Sequence, residues 1–149
     1  MVQLPFLIFA DMKQAESQED DVSIEGMRIL LAEDNELNME IAEFLLTNAG
    51  AEITKASNGK EAVEAFAKSG VGEINVILMD IMMPVMDGLE ATREISTMNR
   101  SDASAVAIIA MTANAFAEDK SKALKAGMDE YLTKPLESEK LIRALSRFL

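Results

Sequence analysis

The sequence contains no cysteine and no histidine. The first absence removes disulfides, thiolate nucleophiles and thiolate-bound metals. The second removes imidazole bases, phosphohistidine and His-ligated zinc from these 149 residues. Basic residues are scarce as well: 14 Lys and Arg stand against 26 Asp and Glu, a formal charge of −12. A surface this acidic repels nucleic acid and anionic lipid over most of its area, so neither direct nucleic-acid contact nor membrane contact is expected. Long apolar runs are missing too. The apolar start, residues 4–10 (LPFLIFA), is far below the roughly 18 to 20 residues that span a bilayer, and it has neither a basic flank nor a small-residue cleavage site. It is expected to be neither a membrane span nor a signal peptide.

What is present suffices for a core. With 49% hydrophobic residues, the chain fits one domain and a tail. Residues 11–26 (DMKQAESQEDDVSIEG) are polar and acidic, which suits a linker or a solvated helix. The expected division is an N-terminal acidic tail or interdomain linker over 1–26 and a domain over 27–149. From residue 27 onward, short apolar runs alternate with helix-period segments. Residues 27–32 (MRILLA) read as a strand, followed by a helix in which Leu37, Ile41, Phe44 and Leu45 share one face and Gly50 marks the stop. Residues 51–56 give an alternating strand, and after Ser57, Asn58 and Gly59 a helix carries Ala62, Val63 and Phe66 on one stripe. Residues 74–80 (INVILMD) are the most apolar run, and Asp87 is a plausible cap for the helix after it. A fourth strand over 105–113 precedes a helix from about Ala115 to the stop at Gly127. Residues 130–133 (EYLT) form a short fifth strand, and a last helix places Leu141, Leu145 and Phe148 at spacings of four and three. Five strands each followed by a helix imply an α/β fold: a parallel sheet with right-handed crossovers and helices on both faces. In such sheets the functional crevice lies at the carboxyl ends of the strands.

Each central strand ends there in a polar group. Strand one runs into Glu33 and Asp34, strand three ends at Asp80, strand four ends at Thr112, and Lys134 and Pro135 follow strand five. Two unit charges 4 Å apart repel by about 4 kcal/mol at an effective dielectric of 20, so three carboxylates in one crevice require a counter-ion. A carboxylate cluster without His or Cys is a hard oxygen site, which suits Mg²⁺. Lys134 adds a fixed positive charge and Thr112 a hydroxyl donor. The set describes phosphoryl transfer, with Asp80 at the tip of the most buried strand as the in-line nucleophile. Taken singly, each residue has a plainer reading. Glu33 and Asp34 could cap the first helix, Thr112 could be an ordinary β-branched strand residue, and Lys134 could be a solvated surface charge. Met79, Met82, Met83 and Met86 read as flexible packing, since thioethers do not suit a hard cation. Convergence of five polar residues on one edge, in a consistent order, favours the shared site.

At these residues the chain resembles the receiver domain of two-component response regulators, over residues 27–149. The blocks LLAEDN (30–35), LMDIMMPVMDG (78–88), AMTA (110–113) and GMDEYLTKP (127–135) fall in the family's order and approximate spacing. Each alone is weak; four in register are specific. The resemblance implies a flavodoxin-like, doubly wound sheet of order 2-1-3-4-5. It implies Asp80 as phosphoacceptor, with Glu33, Asp34, Asp80 and the backbone carbonyl of Met82 as the Mg²⁺ set and Mn²⁺ as an alternative ion. Thr112 and Lys134 would bind phosphoryl oxygens, and the Lys134–Pro135 bond would be cis. Thr112 and Tyr131 would form a switch that rebiases the face made by the fourth helix, fifth strand and fifth helix. Asn114 and Met82 would tune the lifetime of the phosphate. The phosphodonor would be a histidine kinase or a histidine phosphotransfer domain, with a downstream effector or a homodimer as the output. Glu33 to Asn38 (EDNELN) is similar to receivers fused to hybrid histidine kinases, and residues 2–6 (VQLPF) look like the last strand of a kinase ATP-binding domain. The expected origin is therefore a segment of a hybrid sensor kinase on the cytoplasmic side, with no kinase activity in this segment and catalysis only of its own phosphorylation and dephosphorylation.

Four rival readings share parts of this pattern. A Mg²⁺ phosphohydrolase of the haloacid dehalogenase type wants a second Asp two residues beyond the nucleophile, where Met82 stands, and a Toprim-like enzyme wants an acid pair spaced by one. A flavodoxin-like binding module needs a hydroxyl- and amide-rich phosphate loop after strand one, where Glu33 and Asp34 would repel the anion. A receiver that acts only as a docking module without phosphorylation is opposed by the complete acid, Thr and Lys set.

Overall fold

In a computed structural model, residues 23–113 and 117–148 are described. Residues 1–22, Asn114 and the expected helix start at Ala115 lie outside them. The elements alternate strictly: β1 (Arg28–Ala32), α1 (Glu36–Asn48), β2 (Glu52–Ala56), α2 (Gly59–Lys68), β3 (Val76–Asp80), α3 (Gly88–Ser96), β4 (Ala107–Thr112), α4 (Ala117–Ala126), β5 (Glu130–Thr133) and α5 (Ser138–Ser146). All strand pairs are parallel and the sheet order is β2-β1-β3-β4-β5. Every crossover therefore needs a helix, which is the connection parallel pairing demands.

The sheet separates two cores. Leu30, Ile77, Met79, Ile108 and Ala110 face Phe66 of α2, Ile95 of α3 and Ala123 of α4. Ile29, Leu31, Val76, Leu78 and Ile109 face Leu46 of α1 and Leu141 and Leu145 of α5. Alternate residues of one strand thus serve opposite faces, and β3 and β4 are buried along their whole length. Ile24, just ahead of β1, is fully buried in the second core. Its carbonyl accepts from the Met27 amide at 3.0 Å.

Three of the four residues expected on the packed face of α1 turn outward, while the fourth, Leu45, packs on the core. Leu37, Ile41 and Phe44 of α1 are 64%, 43% and 67% exposed, whereas Ala42 and Leu46 are buried. The row with the larger side chains is not the row that packs, because Ala42 and Leu46 together with the partly buried Met39 and Leu45 fill the space above the sheet. The other two stripes pack inward as their periodicity suggests: Ala62 and Phe66 of α2, and Leu141 and Leu145 of α5, are 0% exposed. Among the described residues no helix is long and apolar enough to cross a membrane.

Arg100 closes the end of the sheet opposite the strand tips. Its Nε and Nη2 donate to Asp102 Oδ1 and Oδ2 at 2.6 and 2.8 Å, while Nη1 donates to the carbonyls of Phe66 and Ser69 at 2.7 and 3.0 Å and Nη2 also donates to Gly70 at 3.0 Å. The guanidinium lies 4.3 Å from the Phe66 ring centroid. Carbonyls at and just beyond the end of α2 thereby gain a planar cation that also stacks on the core. Asp102 accepts in addition from the Gly72 amide at 2.8 Å. The Arg100 bonds hold the Asp102 carboxyl down at about 2 against an ordinary value of 3.8. A lowered carboxylate contributes stability above its unfolded value, and that contribution is lost as the pH falls through about 2. Arg100→Ala is expected to unfold at a lower urea concentration than wild type at pH 7. The deficit should shrink, without vanishing, toward pH 2, where wild type loses the Asp102 contacts and keeps the carbonyl bonds.

Candidate functional site

The strand register gathers the polar residues. Ala32 lies opposite Met79, so Glu33, the next residue, comes beside Asp80. Asp80 lies opposite Met111, which brings Thr112 one step further along the rim. Thr112 lies opposite Thr133, and Lys134 follows. Four separate segments thus deliver their side chains to one edge because parallel strands end on the same side of a sheet.

Contacts at that edge are short. Lys134 Nζ lies 2.6 Å from Glu33 Oε2 and 3.0 Å from Asp80 Oδ2. Glu33, Asp80 and Thr112 are all buried, at 3%, 4% and 5% exposure, while Asp34 is exposed. Carboxylate oxygens of Glu33, Asp34 and Asp80 lie within 4.8 Å of one another. The plain reading of the acidic pair fails on its own terms. Asn35 caps α1, accepting from the Asn38 amide at 2.9 Å, so the carboxylates of Glu33 and Asp34 are not used for that purpose. Glu33 Oε1 accepts from the Asn35 amide at 3.2 Å, which orients the acid without turning it from the rim. Asp87 caps α3, as its position suggests, by accepting from the Glu90 amide at 2.8 Å.

Burial sets the electrostatics of Asp80. It pushes the carboxyl from 3.8 up to about 7; the Lys134 bond opposes the rise and the Glu33 charge adds to it. Burial likewise disfavours charge on Lys134, but its bonds to Glu33 and Asp80 more than offset this and hold it above the usual lysine value. The two directions pull differently on the same ion pair. Distances of 2.6 and 3.0 Å fit an ammonium between carboxylates, so we take Lys134 as charged and Asp80 as an acid that one ammonium only partly compensates. The uncompensated charge of such a site favours a further cation. The donor set of carboxylate oxygens, one of them exposed, is hard and open on one side, and fits a small divalent ion that keeps part of its water.

The surroundings are acidic and partly apolar. A groove of about 410 Å³ runs beside Glu33 and Asp34, lined also by Glu36, Glu40, Glu43 and Glu61 with Lys55 as the single cation among its lining residues. Met82 and Val85, on the loop after Asp80, are 77% and 78% exposed. The Met82 amide faces Asp80 Oδ1 at 3.4 Å. Tyr131 lies under Lys120 Nζ at 5.0 Å from its ring centroid, and the Lys134–Pro135 bond is cis. Gly59 was legible only as part of a turn, yet its amide donates to the Met86 carbonyl in the Asp80 loop at 2.9 Å.

Comparison with known proteins follows the same residues. The family model of the response regulator receiver domain matches residues 29–146. The chain belongs to that family. This receiver is 40% identical over 121 residues to hybrid signal transduction histidine kinase I of Dictyostelium discoideum, covering 80% of this chain and 7% of that protein. Of solved structures, the receiver domain of sensor histidine kinase PA1611 from Pseudomonas aeruginosa PAO1, with a magnesium ion coordinated in its active site cleft, is 40% identical. It superposes with a TM-score of 0.75 over 83% of this chain and 97% of that one. The receiver domain of the Saccharomyces cerevisiae response regulator Ssk1, in complex with the histidine phosphotransfer protein Ypd1, is 29% identical with a TM-score of 0.72, covering 83% and 89%. The chain is thus a receiver domain of two-component phosphorelay signalling, and the phosphohydrolase alternative has no support.

Asp80 carries a linkage that can be measured without any ligand. Its folded value lies above the unfolded 3.8, so its contribution to stability is complete below about 4 and is lost as the pH rises through about 7. Asp80→Asn removes the buried charge and is expected to unfold at higher urea than wild type at pH 8, by about 1–4 kcal/mol in EDTA-treated protein. Near pH 4 the advantage should vanish. Equal midpoints at pH 8 would show that Asp80 sits in the fold without strain.

Proposed function

We propose that Asp80 is the phosphoacceptor of this receiver. The observation that carries the reading is the position of a buried carboxylate at the end of β3, within 4.8 Å of two further acids and 3.0 Å from the Lys134 ammonium. One Asp80 oxygen attacks phosphorus, forming a P–O bond while the P–N bond to a donor histidine breaks, and the imidazole leaves with the electron pair. No histidine occurs in this chain, so the donor belongs to a histidine kinase or histidine phosphotransfer domain outside these 149 residues. Lys134 neutralises one phosphoryl oxygen, and the Thr112 hydroxyl donates to another. Glu33, Asp34, Asp80 and the Met82 backbone carbonyl would hold Mg²⁺, with Mn²⁺ as a substitute, and the ion would supply charge neutralisation to the phosphoryl group.

Donor docking is supported by the exposed Leu37, Ile41 and Phe44 on α1, which starts directly beyond the acidic pair. Aspartyl phosphate adds charge at a rim already crowded with acids, and draws Thr112 and Lys134 toward it. Tyr131 then changes rotamer with Thr112 and rebiases the α4, β5 and α5 face toward an effector or a second copy. Met82 and Asn114 set the lifetime of the phosphate. We place the receiver unit at 27–149, with Ile24 as an added core residue, and assign the residues before it to an acidic linker of a hybrid sensor kinase on the cytoplasmic side.

Acetyl phosphate tests the acceptor directly. Wild type incubated with acetyl phosphate and Mg²⁺ should gain one labile phosphoryl group by intact-mass measurement, and the gain should be absent with EDTA and in Asp80→Asn. Persistence of the gain in Asp80→Asn would move the acceptor elsewhere, and turnover of a small phosphate ester at enzyme-like rates would argue for a hydrolase.

A further inference from the structure

The loop joining Asp80 to α3 is held in an unfavourable shape by bonds from elsewhere. Val85 has φ +69°, the only left-handed value at a non-glycine among the described residues, and it is β-branched. Its neighbours close a three-residue turn around it: the Met86 amide donates to the Pro84 carbonyl at 2.7 Å. A three-residue turn centred on a positive φ is rare and strained. Packing of the Val85 side chain does not explain it, because that side chain is 78% exposed. The restraint lies in the backbone on either side.

Two amides supply it. Gly88 N–H donates to the Ile81 carbonyl at 2.9 Å and closes the base of the loop. Gly59 N–H, at the first residue of α2, donates to the Met86 carbonyl at 2.9 Å and ties down the tip. No side chain fits at Gly59. A Cβ there would stand inside contact distance of the Met86 carbonyl oxygen and 2.8 Å from that of Asp87, both of them backbone atoms. Asn58 fixes the same helix end by accepting from the Glu61 amide at 2.8 Å, so the donor is itself anchored. Helix α2 gives no carboxylate to the acid cluster, yet its first amide reaches the loop that carries Met82 past Asp80.

We propose that Gly59 is a positioning residue for the acceptor site: through Met86 it holds the Val85 turn in its strained form and so fixes where the Met82 backbone stands relative to Asp80. The proposal rests on the acceptor reading above, in which the Met82 carbonyl is a metal ligand. Backbone strain at such a loop persists only where surrounding contacts over-determine it, and here the tie to α2 is a close approach at Gly59 that only glycine permits.

Calorimetric titration of the full chain with Mg²⁺ alone tests this, alongside melting temperature and amide hydrogen exchange of the metal-free protein. Gly59→Ala is expected to raise the Mg²⁺ dissociation constant about tenfold, the range seen when a group supporting a metal ligand is lost, and to speed exchange at residues 82–86. Val85→Gly guards against a Gly59 variant that fails to fold. It relieves the left-handed β-branched residue, so its melting temperature should equal or exceed that of wild type, while its Mg²⁺ dissociation constant rises about threefold as the loop leaves the binding shape. Stability and affinity moving apart is an outcome that a purely structural role would not give. If wild type binds Mg²⁺ and both variants bind it equally well, the inference is overturned while the acceptor reading stands. If wild type binds no Mg²⁺, the acceptor reading fails first.

Discussion

A single ammonium standing between two buried carboxylates organises this molecule. Lys134 reaches Glu33 at 2.6 Å and Asp80 at 3.0 Å, and all three side chains are largely withdrawn from water. Burying one acid beside another is unfavourable, and the cation that offsets it is delivered from a strand two positions across the sheet. Every part of the fold that brings β1, β3 and β5 to a common edge therefore serves this contact. The compensation is incomplete by design of the geometry: one positive charge faces three carboxylates, and Asp80 remains an acid raised toward neutrality by its burial.

Parallel pairing makes the arrangement possible. In an antiparallel sheet the ends of neighbouring strands would alternate between the two edges, and Glu33, Asp80 and Lys134 would not meet. The two cores built on opposite sheet faces lock the register, since a one-residue slip of β3 would exchange Ile77 and Met79 with Val76 and Leu78. The same slip would withdraw Asp80 from Lys134. Packing and site geometry are thus fixed by the same alternation of side chains, and Arg100 secures the far end of the sheet against fraying.

The sequence made the strands and their polar ends legible because both signals are local. A short apolar run that stops at Asp80 between turn residues reads as a buried strand with an acid at its tip, and so does the run that meets Glu33 and Asp34. The capping role of Asp87 rests on a neighbour three residues away and follows from the same kind of reading. What could not be read depends on distant partners. Leu37, Ile41 and Phe44 have helical spacing, but only the packed sheet decides that Ala42 and Leu46 face inward instead. Arg100 finds Phe66, Ser69 and Gly70 more than 29 positions back along the chain. Gly59 looks like an ordinary turn residue until its amide is seen against Met86, 27 positions on.

The partly compensated acid at the centre of this account can be observed by itself. A carbon-13 titration of the Asp80 carboxyl in metal-free protein, repeated with Mg²⁺, reads its environment without turnover or partner. The expected result is a midpoint near the raised value of about 7 that moves to lower pH when Mg²⁺ is added. An ordinary midpoint near 3.8 that ignores Mg²⁺ would contradict it.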